Sequence, residues 1–103
     1  MFSDKRQTVQ FAGSICYMEY KKYVAGGTCI QLYDEEDGCP VATATVHLEG
    51  IPDDHVAIKN YSENKGILHV LVDVHIVSPP VSYHESGYVS IPICKLLRIE
   101  RDM

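Results

Sequence analysis

The sequence lacks basic residues over a third of its length, because no Lys or Arg lies between Lys22 and Lys59. A segregated negative region attracts cations and basic proteins and repels phosphate backbones. The formal net charge is −5 at pH 7, which argues against a protein that coats nucleic acid, since such binding needs Lys and Arg to neutralise phosphates. We therefore expect no direct nucleic-acid partner. Half of the 14 acidic residues lie in this window, namely Asp34, Glu35, Glu36, Asp37, Glu49, Asp53 and Asp54.

A long apolar segment is missing too. The longest apolar-rich run covers residues 67–77 and is too short and too polar to cross a bilayer. The first ten residues contain no apolar stretch of signal-peptide length. These features predict a soluble, cytoplasmic protein with no membrane partner. The cysteines form no C-x-x-C pair, which indicates reduced thiols; they are Cys16, Cys29, Cys39 and Cys94.

Recognisable catalytic motifs are also absent. No local arrangement of Cys and His is typical of a nucleophile with its base. The pair Gly26 and Gly27 is not followed by the Lys-Ser/Thr of a phosphate-binding loop. Residues 34–38 lack the spaced ligands and the distal Glu of an EF-hand. We therefore expect a protein that is not an enzyme and that needs no cofactor.

Metal binding stays open as an alternative at the histidines. His69 and Asp73 are four residues apart on one face of a predicted helix, a spacing that suits either a metal pair or a plain surface pair. His47 lies on the polar face of a predicted strand, where it either approaches a cysteine or is a buried, hydrogen-bonded side chain. A surface pair and a hydrogen-bonded His are the commoner outcomes, so no metal site is assigned.

The remaining sequence is typical of one globular domain, since 46% of the residues are hydrophobic and 22% are charged. Residues 1–12 mix charge and polarity and predict a flexible arm or a short first strand, and residues 13–103 form the domain. We expect an α+β fold, with a mostly antiparallel sheet of about four to five strands and one helix packed on one face. The predicted strands cover residues 14–20, 28–33, 41–48, 55–59 and 87–95.

The segment 66–77 carries two competing patterns. Ile67, Val70, Leu71 and Val74 fall on one stripe at helical spacing, with His69 and Asp73 opposite. Residues 72–76, however, alternate like a strand. The capping residues at 60–64, with Ser62 or Asn64 as the N-cap and Glu63 in the first turn, favour a helix that ends at residues 78–80.

The acidic residues are expected in two loops. Residues 28–33 and 41–48 form a hairpin joined by a loop at 34–40, with the acidic residues 34–37 at its tip, and a second acidic loop covers 49–54. Ala42, Ala44, Val46 and Leu48 alternate along one strand and are expected to face the core. One strand of this length separates the loops by roughly 25 Å. Two separate acidic rims are therefore predicted, and the hairpin tip is the better candidate.

Tyrosine supplies most of the aromatic side chains, with seven Tyr and no Trp. Tyr is common in protein interfaces and equally common in sheet packing. We expect packing for Tyr17 and Tyr88, and exposure near the acidic turn for three others. The candidate partner-binding residues are therefore Asp34, Glu35, Glu36, Asp37, Tyr33, Tyr23, Tyr20, Asp53 and Asp54.

Three segments together resemble a small family of uncharacterised proteins carried by phages, plasmids and integrative elements of gut bacteria. They read CIQLYDEEDGCPVATATV over residues 29–46, VAIKNYSENKGIL over 56–68 and IPIC over 91–94. The resemblance extends over roughly residues 20–97 and has no assigned chemistry. It implies an origin in a mobile element, where small acidic proteins often inhibit host defence, as anti-CRISPR proteins do.

Together these expectations predict a non-enzymatic inhibitor that acts in the cytoplasm of a bacterial host. Its partner would be a host effector protein with a basic surface, such as the nucleic-acid channel of a CRISPR nuclease. Two alternatives stay open. One is a structural or accessory domain that self-associates as a homodimer through an exposed edge strand around Ile91, Pro92 and Ile93. The other is a metal-binding domain.

Overall fold

The computed structural model describes residues 7–97, and its strands form two four-stranded antiparallel sheets. The α+β class and the antiparallel pairing are confirmed, although the strands are divided between two sheets instead of forming one. In chain order the elements are β1 (Thr8–Phe11), β2 (Ser14–Lys22), β3 (Thr28–Asp34), β4 (Pro40–Thr43), β5 (Thr45–Val46), β6 (His55–Ile58), a 3-10 helix (Ser62–Asn64), α1 (Ile67–Asp73), β7 (Ser82–Ser86) and β8 (Val89–Lys95).

The first sheet is a meander in the order β1-β2-β3-β4. A two-residue turn joins β1 to β2, and its residues Ala12 and Gly13 have φ of +55° and +81°, the backbone that matches the twist of paired strands. Residues 8–11 of the expected N-terminal arm are therefore a paired strand, and residues 1–6 of that arm lie outside the described residues. Residues 98–103 of the predicted domain also lie outside them.

The second sheet has the order β5-β6-β8-β7, which corrects one expectation. β8 lies between β6 and β7, and Ile91 and Ile93 are buried, so residues 91–93 are not an exposed edge. The β6–β8 pairing ends at Ala57 and Ile93. Pro92, which has no N–H to donate, lies just beyond the last pair on that side. The edges of this sheet are β5 and β7, and β7 lies in a segment that none of the predicted strands covers.

The predicted strand 41–48 breaks at Ala44, where the chain passes from one sheet to the other. The Ala44 N–H donates to the Ile30 carbonyl in β3, and the Ala44 carbonyl accepts from the Lys59 N–H just after β6; both bonds are 2.8 Å. Ala44 is fully buried, as expected. Val46 and Leu48 are only half-buried because β5 ends at Val46 and the chain then enters a loop.

The core lies between the sheets and α1. It contains buried side chains from both sheets and from the helix, namely Val9, Cys16, Met18, Ile30, Leu32, Ala44, Val56, Ile58, Ile67, Leu71, Ile76, Val77, Cys94 and Leu96. Cys16 and Cys94 are thus buried as small apolar side chains, and burial raises the pKa of the Cys94 thiol to about 11. Within residues 7–97, no helix has the length and apolar character needed to cross a membrane.

A helix is confirmed in the segment 66–77, but it starts and ends differently from the prediction. Gly66 is the N-cap, with φ of +96°, and Ser62 and Asn64 belong to the preceding 3-10 helix. The side chain that serves the first turn is Asn60, whose Oδ1 accepts from the N–H groups of Gly66 (3.1 Å) and Leu68 (3.0 Å). Asn64 is buried instead, and its Nδ2 donates to the Thr43 carbonyl at 2.7 Å.

The C-terminus of α1 is a Schellman motif built on histidine. The N–H of Ile76 donates to the Leu71 carbonyl, and the N–H of His75 donates to the Val72 carbonyl, both at 3.0 Å. His75 has φ of +64°, the left-handed position that glycine usually occupies. Because no Gly marks this stop, the sequence predicts the end of the helix too late, at residues 78–80.

Replacing His75 by Gly should stabilise the protein by about 0.5–1 kcal/mol, because Gly adopts the left-handed backbone without the steric cost of a side chain. Thermal unfolding measures the effect. The matched control is His69→Gly, which changes another exposed His in the middle of the same helix and should cost about 1 kcal/mol. Equal losses of stability in the two variants would contradict the assignment of the helix end.

At the junction between the sheets, the Thr45 hydroxyl should contribute more to the free energy of unfolding than the Tyr23 hydroxyl does. Its Oγ1 accepts from the Ile30 N–H at 3.2 Å and shares a 2.9 Å hydrogen bond with the Tyr23 hydroxyl. Thr45→Val leaves a buried N–H without an acceptor and should cost about 1–3 kcal/mol. Tyr23→Phe leaves that N–H satisfied and should cost about 0.5–1.5 kcal/mol. Urea unfolding compares the two, and the opposite ranking would contradict this role.

Candidate functional site

The strongest candidate site is the turn between β3 and β4, here called the acidic tip, which consists of Asp34, Glu35, Glu36 and Asp37. Its two aspartates hold the backbone of the turn. Asp34 Oδ1 accepts from the Glu36 N–H at 2.8 Å, and Asp37 Oδ1 accepts from the Cys39 N–H at 3.0 Å. The Gly38 N–H closes the turn on the Asp34 carbonyl at 2.8 Å. The backbone of the tip is therefore held by hydrogen bonds within the turn itself.

The carboxylates of the acidic tip are open to solvent and to a partner. Glu35, Glu36 and Asp37 are exposed, and Asp34 is half-buried. The ion pairs found within residues 7–97 join His55 to Asp54 and Lys59 to Glu63, so none of them neutralises the tip. The negative charge of the tip also acts on Cys39. The pKa of its thiol is raised mainly by the Asp37 charge and next by the hydrogen bond to Asp37.

A surface depression lies beside the acidic tip. It has a volume of about 670 Å³ and is lined by Asp34, Glu35 and Glu36 on one side and by residues 10 and 13–15 at the β1–β2 turn on the other. The Glu35 N–H donates to the Ile15 carbonyl at 2.8 Å and joins the tip to the start of β2. The Ile15 side chain is 51% exposed, so an apolar group lies next to the negative charge.

Sequence reasoning missed Ile15, although a signal was present. In β2 the buried side chains are Cys16 and Met18, and alternation along a strand then directs Ile15 and Tyr17 to the outer face. The hydrogen bond that brings this outer face to the acidic tip links residues 20 apart in sequence, and no local pattern predicts it.

The structure separates the three tyrosines that were expected near the acidic tip. Tyr33 lies at its base, stacks on Tyr17 with ring centroids 5.5 Å apart, and accepts a 2.8 Å hydrogen bond from Lys21 Nζ. That hydrogen bond raises the pKa of Lys21. Tyr20 packs against the core instead, and Tyr23 lies beyond the other end of β2. Tyr88, for which packing was expected, is fully exposed in the β7–β8 turn.

The second acidic loop, residues 49–54, borders a different cavity. This cavity has a volume of about 270 Å³, and its lining includes Tyr23, His47, Glu49, Asp53 and His55. Burial raises the pKa of Tyr23 to about 12, and its ring lies 5.3 Å from the exposed His47 ring. His47 is therefore neither buried nor hydrogen-bonded in the way the sequence favoured.

The Asp54 carboxylate in the second acidic loop already has a hydrogen-bond partner, His55. Its Oδ1 lies 2.7 Å from His55 Nδ1, and this hydrogen bond lowers the pKa of the Asp54 carboxyl. Asp53 lines the neighbouring cavity. Neither aspartate lies beside the acidic tip, because β3 spans from Thr28, near Tyr23, to Asp34 at the tip. That span is about 20 Å at the usual rise per residue, so the two loops form separate rims.

His69 and Asp73 are exposed on α1, on the side opposite its buried residues, as the helical stripe predicted. In the part of the chain that the structure describes, no group of three or more His, Cys, Asp or Glu side chains is arranged to hold a metal ion. All four cysteines are free: Cys16 and Cys94 are buried, Cys29 is half-buried and Cys39 is exposed.

Comparison with known proteins found no matching protein-family model, no matching curated protein and no matching solved structure. The resemblance of residues 20–97 to a mobile-element family therefore stays a prediction. The arrangement of the acidic tip is the observation from which a function can be argued.

Proposed function

We propose that this protein is a non-enzymatic inhibitor that binds a basic surface of a host defence protein through the acidic tip. The observation that carries the proposal is a hydrogen-bonded turn with four carboxylates, three of them exposed, that form no ion pair with any residue among 7–97. The class of target, a nucleic-acid-handling surface such as the channel of a CRISPR nuclease, comes from the sequence resemblance. The protein would then act in the cytoplasm of a bacterial host.

The geometry supports binding in two ways. First, the hydrogen bonds made by Asp34 and Asp37 hold the turn in place, so a partner need not order the backbone when it binds. Second, adjacent like charges at one end of a hairpin steer a cationic surface toward that end and accelerate the encounter. A channel built for phosphates presents Arg and Lys side chains that would meet these carboxylates.

The surface supported by the structure is narrower than the predicted set of residues. It combines the acidic tip with the outward face of β2 and β3, where Ile15 is exposed and Tyr33 stacks on Tyr17. Apolar and aromatic contacts of this kind give an interface its central energy, and the charges around them govern rate and specificity. Tyr20, Tyr23, Asp53 and Asp54 lie elsewhere and are not included.

Neutralising the exposed glutamates of the acidic tip should weaken binding to a purified, guide-free CRISPR nuclease by at least about tenfold, because two charge pairs are lost at the interface. The variant is Glu35→Gln with Glu36→Gln, since neither side chain holds the turn. Calorimetry measures the affinity, and cleavage of target DNA measures inhibition. The fuller variant adds Asp34→Asn and Asp37→Asn, which keep the Oδ1 acceptors of the turn.

The matched control is Glu49→Gln with Asp53→Asn, which removes the same charge from the second acidic loop and should leave the affinity nearly unchanged. Raising the salt from about 0.05 to 0.5 M should weaken the wild-type complex, because screening shortens the reach of the charges. Binding that withstands both the salt and the four tip changes would exclude the acidic tip as the contact. If the wild-type protein neither binds the nuclease nor reduces its cleavage of DNA, CRISPR nucleases are excluded as the class of target.

A further inference from the structure

The strand β7 is an edge without the protection that the other sheet edges have. Among residues 7–97 it pairs with β8 alone, and all five of its side chains are exposed. Its sequence, SYHES, contains no Pro and no Lys, the residues that commonly block edge pairing. The other edges are less open: β5 has two residues, β4 begins with Pro40 beside a bulge in its pairing, and β1 lies against α1.

The hairpin geometry determines which backbone groups β7 directs outward. Residues 87 and 88 form a two-residue turn, and Ser86 pairs with Val89. The pair that closes such a turn is hydrogen-bonded, and hydrogen-bonded pairs then alternate along the ladder. Ser86, His84 and Ser82 therefore direct their N–H and C=O groups to β8. Tyr83 and Glu85 direct theirs away from the sheet.

We propose that β7 pairs antiparallel with β7 of a second copy of this chain, about a two-fold axis at His84. In this register Tyr83 lies opposite the partner's Glu85, and Glu85 lies opposite the partner's Tyr83. The outward groups of these two residues then make four backbone hydrogen bonds. The second sheets of the two copies join into one eight-stranded sheet, which is an isologous and closed arrangement.

Neighbouring two-fold registers are less favourable. A register centred on Glu85 would place two carboxylates directly opposite each other, which is destabilising. A register centred on Tyr83 would pair Glu85 with the partner's Val81, but the Val81 N–H already donates to the Ile93 carbonyl at 2.8 Å. In the register centred on His84, no two carboxylates lie opposite each other. Every outward N–H and C=O group of Tyr83 and Glu85 is then hydrogen-bonded to the partner copy.

Exposed apolar side chains at this edge favour a second copy as the occupant. Val81 and Tyr83 are each 58% exposed, and Tyr88 is fully exposed at the turn. A two-fold axis at His84 places the Tyr88 turn of each copy near the start of the partner's β7, where Val81 lies. Burial of aromatic and aliphatic surface on both sides then adds to the backbone hydrogen bonds.

Light scattering coupled to size exclusion should give twice the 11.5 kDa chain mass for the wild-type protein. Glu85→Pro removes an outward N–H that β8 does not use, so it should abolish the dimer while the hairpin stays paired. The matched control Glu85→Thr keeps the N–H and a strand-forming side chain, so it should remain dimeric. A wild-type monomer up to its highest soluble concentration, or a Glu85→Pro dimer, would overturn the proposal.

Disulfide trapping tests the register even if the proline variant fails to fold. In the proposed dimer the two His84 residues form a non-hydrogen-bonded pair with Cα atoms about 4.5 Å apart, which lies within disulfide reach. In a Cys39→Ser background, His84→Cys should give a covalent dimer on mild oxidation. The control Ser82→Cys should not, because its two copies lie far apart on either side of the axis.

Equal trapping of both cysteine variants, or trapping of Ser82→Cys alone, would show a different contact and overturn the register. A dimer that persists in Glu85→Pro and is not trapped through residue 84 would place self-association on another surface. These outcomes do not depend on the acidic tip, because β7 belongs to the other sheet. Loss of nuclease binding in the tip variants and loss of the dimer in the β7 variants are therefore separate results.

Discussion

The fold depends on the passage of the chain through Ala44. Its N–H is bonded to β3 of the first sheet and its carbonyl to the residue that follows β6 in the second. The next residue, Thr45, adds a side-chain acceptor for the Ile30 N–H, so both backbone groups of Ile30 are satisfied at this junction. A buried backbone group without a partner would be costly, and Ala44 is itself fully buried in the core. The two sheets therefore share one core.

This junction also determines where charge can lie. The chain enters it from the acidic tip through β4 and leaves it through β5 toward the second acidic loop, so the two loops lie at opposite ends of the segment 40–46. The acidic tip is held by its own aspartates and by the hydrogen bond from the Glu35 N–H to the Ile15 carbonyl in β2. In the second loop, by contrast, Asp54 is engaged by His55. The tip presents exposed carboxylates beside the exposed side chain of Ile15.

The two sheets differ in how exposed their edge strands are, and this difference suggests that each sheet serves a separate contact. The first sheet carries the acidic tip, and its edges are covered or interrupted. The second sheet contributes buried residues on β6 and β8 and leaves β7 open. If both proposals hold, a dimer joined at β7 would present two acidic tips, and each could engage a separate basic surface. Linked binding of that kind strengthens attachment when both sites are within reach.

The sequence by itself determined the class of fold, the helix stripe of Ile67 and Leu71, the strands that contain Cys16 and Cys94, and the separation of the acidic tip from the second acidic loop. These features follow from local periodicity and turn chemistry, which act over a few residues. Only the tertiary structure decided that residues 41–48 divide at Ala44 and that β8 is interior. It also decided that His75, without a glycine signal, ends the helix. The tertiary structure likewise placed the acidic tip next to Ile15, because the hydrogen bond that joins them links residues 20 apart in sequence, and local periodicity carries no information about such a contact.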